Sequence, residues 1–258
     1  MKYGICMLAV VAVREAPSGK SKMVNQLLFG ELILINDVKN DWILMDAVDD
    51  ESSGWVRKNQ VNELKEPAFF NLKDSKTYYL QTLSAQIRAQ NALIPVFRGA
   101  QFHGWKEGAF KVAGESYFYK KAVHEVPETA VSHQIISVAN NYLNVPFLQG
   151  GKSPLGIDGA GLVQMTFKMN GIVLPRFAGQ QVNKGEQILF VEASKPADLA
   201  FFENSEGNIT HAGIILSKNK IIHAWGRVRI DSIDHQGIFD EELGKYTHKL
   251  RVVKRLLS

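Results

Sequence analysis

The sequence predicts an α+β protein in which two small all-β barrels precede a mixed domain of helices and antiparallel strands. Three observations carry this. Short apolar runs broken by turn clusters fill residues 10–64 and continue, less regularly, through residues 67–125. A helical stripe begins after Val126-Pro127, and two histidine-bearing apolar strands follow a glycine-rich helix start. The 258 residues are ample for a core, and 45% hydrophobic with 22% charged residues is ordinary for a soluble globular chain. A net charge of +4, scattered along the sequence, excludes a nucleic-acid footprint.

The single cysteine, Cys6, excludes an intrachain disulfide and any multi-cysteine metal site. It lies in the run Ile5–Val13, which reads as one first β-strand with Cys6 as a small buried hydrophobe. That run is like a very short signal h-region but lacks a basic segment and a small-residue cleavage site. No apolar run reaches the ~18 residues of a membrane helix. The expectation is a soluble cytoplasmic protein without membrane insertion, a periplasmic one being the alternative.

Strand runs at Leu27-Leu28, Leu32–Ile35, Trp42–Met45 and Trp55-Val56 are separated by turn clusters at Ala16–Gly19, Asn36–Asn40 and Asp49–Gly54. Five strands in about 55 residues suit a small closed barrel. With Gly30, Trp42 and Gly54-Trp55, residues 1–66 resemble a bacterial SH3-like domain. Residues 67–126 offer strand pieces at Tyr78–Leu80, Pro95–Arg98, Phe110–Val112 and Tyr117–Tyr119 around a polar stretch, Ser84–Asn91. They fit a second, degenerate SH3-like barrel, its aromatics filling the interior rather than a ligand surface.

Residues 127–258 form the third domain. Val131, Ile135, Val138, Ala139 and Tyr142 mark one face of a helix within 128–143, with Pro127 near its first turn. Asp158 is the N-cap of a second helix carrying Leu162, Val163, Thr166 and Phe167, stopped by Asn170-Gly171. A long loop through Pro175–Pro196 follows. Ile209–Leu216 and Lys220–Trp225 then read as a hairpin around Ser217-Lys218-Asn219. A three-residue loop sets Leu216 against Lys220 and Gly213 against His223, so period-two alternation turns His211 and His223 to one face. Either histidine alone would pass for a satisfied core or surface residue. The other five, His103, His124, His133, His235 and His248, show no usable spacing, and Lys249–Leu256 reads as a final strand with a solvated face.

Residues 144–256 resemble the papain-like peptidase domain of the NlpC family of bacterial cell-wall hydrolases. The whole chain is similar to its murein-tripeptide endopeptidases with two bacterial SH3 domains, the dipeptidyl-peptidase VI type, which cut γ-D-glutamyl-diamino acid bonds. The family motif Asp-Cys-Ser-Gly corresponds to Asp158-Gly159-Ala160-Gly161, and its strand histidines to His211 and His223. The resemblance implies a thiolate at the helix start as nucleophile, His211 as base and His223 as the group that orients it. No cofactor or metal is implied, and the implied partner is a small murein-derived peptide.

The departures fall on that machinery. Gly159 replaces the nucleophilic Cys and Ala160 the substrate-holding Ser. In Pro175-Arg176-Phe177, Phe177 stands where relatives carry the Asp that receives the substrate's amino group; Arg176 is kept as a candidate substrate contact. Gln149 and Phe147 replace the usual Trp and Tyr, and Asp49, Asp50 and Glu51 are candidates for the acidic residue with which the first SH3-like domain caps the cleft. Losing a triad nucleophile costs on the order of 10⁶ in kcat. The chain is therefore expected to be a catalytically impaired homologue that binds a cell-wall peptide or other small acidic ligand. Alternatives are a hydrolase using water activated by His211, an inactivated form of an active cysteine peptidase, and a metal site from Asp158, His211 and His223. The resemblance explains those three residues without a metal.

Overall fold

The computed structural model describes residues 2–50, 52–90 and 92–257, and the chain divides into two units at Val126/Pro127. In the first unit the apolar run at the start is two strands, Lys2–Ile5 and Val10–Arg14, rather than one. The chain turns between them, leaving Leu8 44% exposed, while Cys6 is buried and its amide donates to Glu31 O. A seven-stranded sheet orders these with Met23–Leu28, Leu32–Lys39, Trp42–Ala47, Ser53–Arg57 and Asn62–Leu64.

Residues 67–126 begin inside a helix that the strand pattern concealed, α1 (Glu66–Asp74), started by Pro67 and burying Phe69 and Leu72. The stretch Ser84–Asn91 contains a strand, Ser84–Arg88, paired with Leu93–Phe97; its alternate residues are polar because one face is solvated. A second, three-stranded sheet joins Gln101–His103, Thr77–Tyr79 and His124–Glu125. Phe29, Phe102, Phe110 and Tyr117 pack ring against ring in a core that also takes in Ile5, Leu32, Leu64 and Phe69. Residues on both sides of position 66 thus share one apolar interior.

The second unit begins with α2 (Ser132–Asn140), five residues beyond Pro127, because Val131 is extended and serves as its N-cap. Ile135, Val138, Ala139 and Tyr142 are buried as the stripe requires. α3 (Gly159–Lys168) packs against α2 and against the Ile209–Ser217 strand. The segment 175–196 is not a plain loop: it holds a single turn, α4 (Ala178–Gln181), and a strand, Glu186–Ile188. A seven-stranded antiparallel sheet runs Glu186–Ile188, Lys245–Arg255, Leu199–Glu203, Ile209–Ser217, Lys220–Trp225, Arg227–Ile233, Gly237–Asp240. The last of these pairs back onto Lys245–Arg255, so the sheet closes into a barrel around Ala200, Phe202, Ile215, Ile221 and Val253. Among the described residues no helix is long and apolar enough to cross a membrane.

Candidate functional site

The start of α3 is held by one buried ion pair. Asp158 is extended (φ −97°, ψ 172°) and caps the helix, its Oδ1 accepting from Gly161 N at 2.7 Å. Its Oδ2 accepts from Gly150 N at 2.8 Å. Arg176 donates to both oxygens, at 3.0 and 2.8 Å, and to Gly151 O at 3.1 Å. The Arg176 side chain is 1% exposed. Both residues, expected to face a ligand, therefore turn their charges toward each other and lock three chain segments together.

The remaining expected positions are more open. Ala160 is half-buried, its carbonyl accepting from Gln181 Nε2 at 3.0 Å, and Phe177 is 41% exposed as the N-cap of α4. Gln149 is exposed, while Phe147 is half-buried and its amide donates to Gly226 O at 2.9 Å. In the first unit Asp50 is buried, accepting from Asn25 Nδ2 and Ser52 N, and Asp49 accepts from Gln101 Nε2. Both carboxylates are engaged within that unit; Glu51 lies outside the described residues.

The histidine hairpin has the expected pairing in one respect and a different turn. Gly213 lies opposite His223, but Ser217 pairs with Lys220, leaving a two-residue loop, Lys218-Asn219, with Leu216 bulged out. Asn219 takes φ 64°, the left-handed conformation that this short turn requires and Asn tolerates. Since Gly213 carries no side chain, its neighbours close over it: a Cβ there would lie 3.0 Å from His223 Cβ.

His211 Nε2 and His223 Nδ1 are 3.0 Å apart, and His223 Nε2 lies 2.8 Å from Asp231 Oδ2. Arg229 donates to Asp231 Oδ1 at 3.1 and 2.9 Å and to Asp240 Oδ2 at 3.2 Å. The five residues form one hydrogen-bonded line. Burial pushes the Asp231 carboxyl up, but His223 and Arg229 outweigh it and hold it below the usual range. Burial first, then His223 and His248, keep His211 well below the ordinary imidazole value; the same desolvation brings His248 to about 4.

The other end of His211 meets α3. A Cβ on Gly159 would lie 2.9 Å from His211 Nδ1, 2.8 Å from its Cε1 and 2.6 Å from Ala212 O. The imidazole occupies the space that a side chain at 159 would need. Cys6, the one cysteine of the sequence, is fully buried in the apolar core of the first unit.

His248, Asp231, Arg229 and Asp240 were not singled out by the sequence. The hairpin Lys220–Ile233 pairs His223 with Arg229 and Ile221 with Asp231, so alternation across Gly226 would have found Asp231. His248 arrives on the strand that closes the barrel, opposite Ile238, a pairing with no local signal. Its ring lies 4.2 Å from that of His211 and 4.8 Å from that of Trp225. Among the described residues, one nitrogen from each of His211, His223 and His248 forms the one group suited to a metal, all within 4.8 Å of one another. Asp158, spent on Arg176 and the helix cap, has no part in it.

Comparison with known proteins agrees with this architecture. Residues 144–246 match the NlpC/P60 family. The chain is 27% identical over 227 residues to a gamma-D-glutamyl-L-lysine dipeptidyl-peptidase of Bacillus subtilis, covering 77% of this chain and 71% of the relative. It is 23% identical over 248 residues to a dipeptidyl-peptidase 6 of Lysinibacillus sphaericus, covering 85% and 88%. A crystal structure of an NlpC/P60 family protein from Bacillus cereus shares the fold with a TM-score of 0.84 at 16% identity, covering 99% of this chain and all (100%) of the other. An NlpC/P60 endopeptidase from Photobacterium damselae gives 0.72 at 17% identity, covering 97% and 70%. The fold is thus mostly β with few helices, as in NlpC/P60 papain-like neighbours, and the chain is homologous to γ-D-glutamyl-L-lysine dipeptidyl-peptidases.

Proposed function

We propose that this homologue of γ-D-glutamyl-L-lysine dipeptidyl-peptidases binds a murein-derived γ-D-glutamyl-diamino acid peptide without hydrolysing it by a cysteine mechanism. The observation that carries this reading is the contact at the start of α3. Position 159 has no side chain, and the His211 ring comes within 2.8 Å of where a Cβ would be. In the family resemblance, residue 159 is the nucleophile and His211 its base. Here His211 Nδ1 still points at position 159, with Nε2 toward His223, so the base keeps its orientation with nothing to deprotonate.

The alternatives have less behind them. A water activated by His211 would lack the covalent intermediate that a side-chain nucleophile provides. A simple knockout of an active enzyme would leave space for the restored side chain, whereas Ala212 O, a backbone atom, lies 2.6 Å from the Cβ position. Loss of the Ser and Asp equivalents at Ala160 and Phe177 goes in the same direction.

Calorimetry of the chelator-treated chain with L-Ala-γ-D-Glu-diaminopimelate tests the binding half. Saturable heat at millimolar peptide or below supports it; its absence removes that half, whatever the hydrolysis result.

A further inference from the structure

The hydrogen-bonded line from His211 to Asp240 has a neighbour that peptide binding does not explain. His248 brings a third imidazole to its His211 end. The three ring centroids are separated by 5.2 Å (His211 to His223), 5.5 Å (His223 to His248) and 4.2 Å (His211 to His248). A ligand nitrogen about 2.0–2.1 Å from zinc puts each ring centre on the order of 3 Å from the ion, a spacing compatible with all three separations.

We propose that His211 Nε2, His223 Nδ1 and the His248 imidazole hold a divalent transition ion of the zinc class. The hydrogen bonds around the rings select these atoms. His223 Nε2 is committed to Asp231 Oδ2 at 2.8 Å, the imidazole–carboxylate pairing that fixes the tautomer of metal-binding histidines, and this leaves Nδ1 with its lone pair. Asp231 is in turn held by Arg229. His248 Nδ1 lies 2.9 Å from Thr247 Oγ1; with that nitrogen donating, Nε2 is the ligand atom. His211 Nε2 is already 3.0 Å from His223 Nδ1, close to the separation of two ligands on one tetrahedral ion. The proton that His211 shares with His223 moves from Nε2 to Nδ1 of the same ring when the ion binds, so none is gained or lost.

That shift separates this chain from a working cysteine peptidase. A base accepts the thiol proton on the Nδ1 lone pair, and a metal on Nε2 would put a proton there. The ion and the nucleophile are mutually exclusive uses of His211. With Gly159 at the start of α3 the conflict is absent. His248, though neither His211 nor His223, lines an open cavity of about 740 Å³ with Glu203, Gln236 and Tyr246, so an ion would approach from the His248 side. Three nitrogen ligands leave a coordination position free for water or a ligand carboxylate.

Metal uptake by the three imidazoles does not depend on peptide binding, and its readout is the metal alone. The full chain is stripped with chelator, dialysed against Zn²⁺ and analysed for bound metal; Co²⁺ titration reports coordination by the intensity of its visible bands. One ion per chain with tetrahedral-type Co²⁺ bands is expected. His248→Phe, which keeps the aromatic packing against Trp225, should abolish stoichiometric uptake. Asp231→Asn should weaken it by roughly 10–100-fold, and the exposed control His133→Ala should leave it unchanged. Uptake by His248→Phe equal to that of the unaltered chain overturns the proposal. So does the absence of stoichiometric Zn²⁺ and of tetrahedral Co²⁺ bands in the unaltered chain, a result that does not depend on any variant folding.

Discussion

His211 leans onto the backbone of Gly159 so closely that its Nδ1 lies 2.9 Å from where the Cβ of any other residue would be. The site has closed over its own first helical residue. Glycine here is a packing requirement as well as the absence of a reactive group, since Ala212 O takes part in the closure.

Gly159→Cys is therefore expected to destabilise the chain, by about 1–3 kcal/mol as an overpacked core substitution. The imidazole can rotate away but Ala212 O can move only with its strand. The urea midpoint of the variant against the unaltered chain checks this. An unchanged midpoint would show that the site opens freely and that the close contact imposes no constraint.

Arg176→Met should cost about 3–5 kcal/mol, because it leaves the Asp158 carboxylate buried without its bidentate partner. Equilibrium unfolding measures it. A cost under about 1 kcal/mol would mean that the helix cap and Gly150 amide satisfy Asp158 without the guanidinium.

Stability should fall on acidification through the histidine window. His248, held at about 4 by burial against an ordinary 6.5, stays neutral where the unfolded chain takes up a proton. Its contribution is intact above pH 6.5, declines from there, and is lost as the pH drops through about 4, at most about 3 kcal/mol in all. His211, lowered for the same reason, acts in the same direction. Urea midpoints from pH 7 to 4 in the presence of chelator should show this slope, and His248→Phe should flatten it. Parallel slopes for the two chains would refute the assignment to His248.

The parts of the fold visible in the sequence were those set by local periodicity. The stripe of α2, the Asp158 cap and Asn170-Gly171 stop of α3, and the opposition of Gly213 and His223 all follow from spacing of 3.6 or 2 residues. What escaped depends on tertiary context. α1 begins at Glu66-Pro67 amid strand-like aromatics, and the first apolar run splits because the chain turns at Leu8. Asp158 and Arg176 are 18 residues apart in sequence, and nothing local indicates that each neutralises the other. His248 reaches the site only through closure of the barrel, which pairs Lys245–Arg255 with strands on both of its edges.

The most direct test of the central reading is turnover. The purified chain, at a concentration where the homologous dipeptidyl-peptidases cleave readily, is incubated with L-Ala-γ-D-Glu-diaminopimelate and assayed for released L-Ala-γ-D-Glu. A chain with Gly159 at the start of α3 and the His211 ring packed over it should release none above the uncatalysed background. Release at a rate like that of the homologous dipeptidyl-peptidases would contradict the account and assign to this site a nucleophile other than a cysteine.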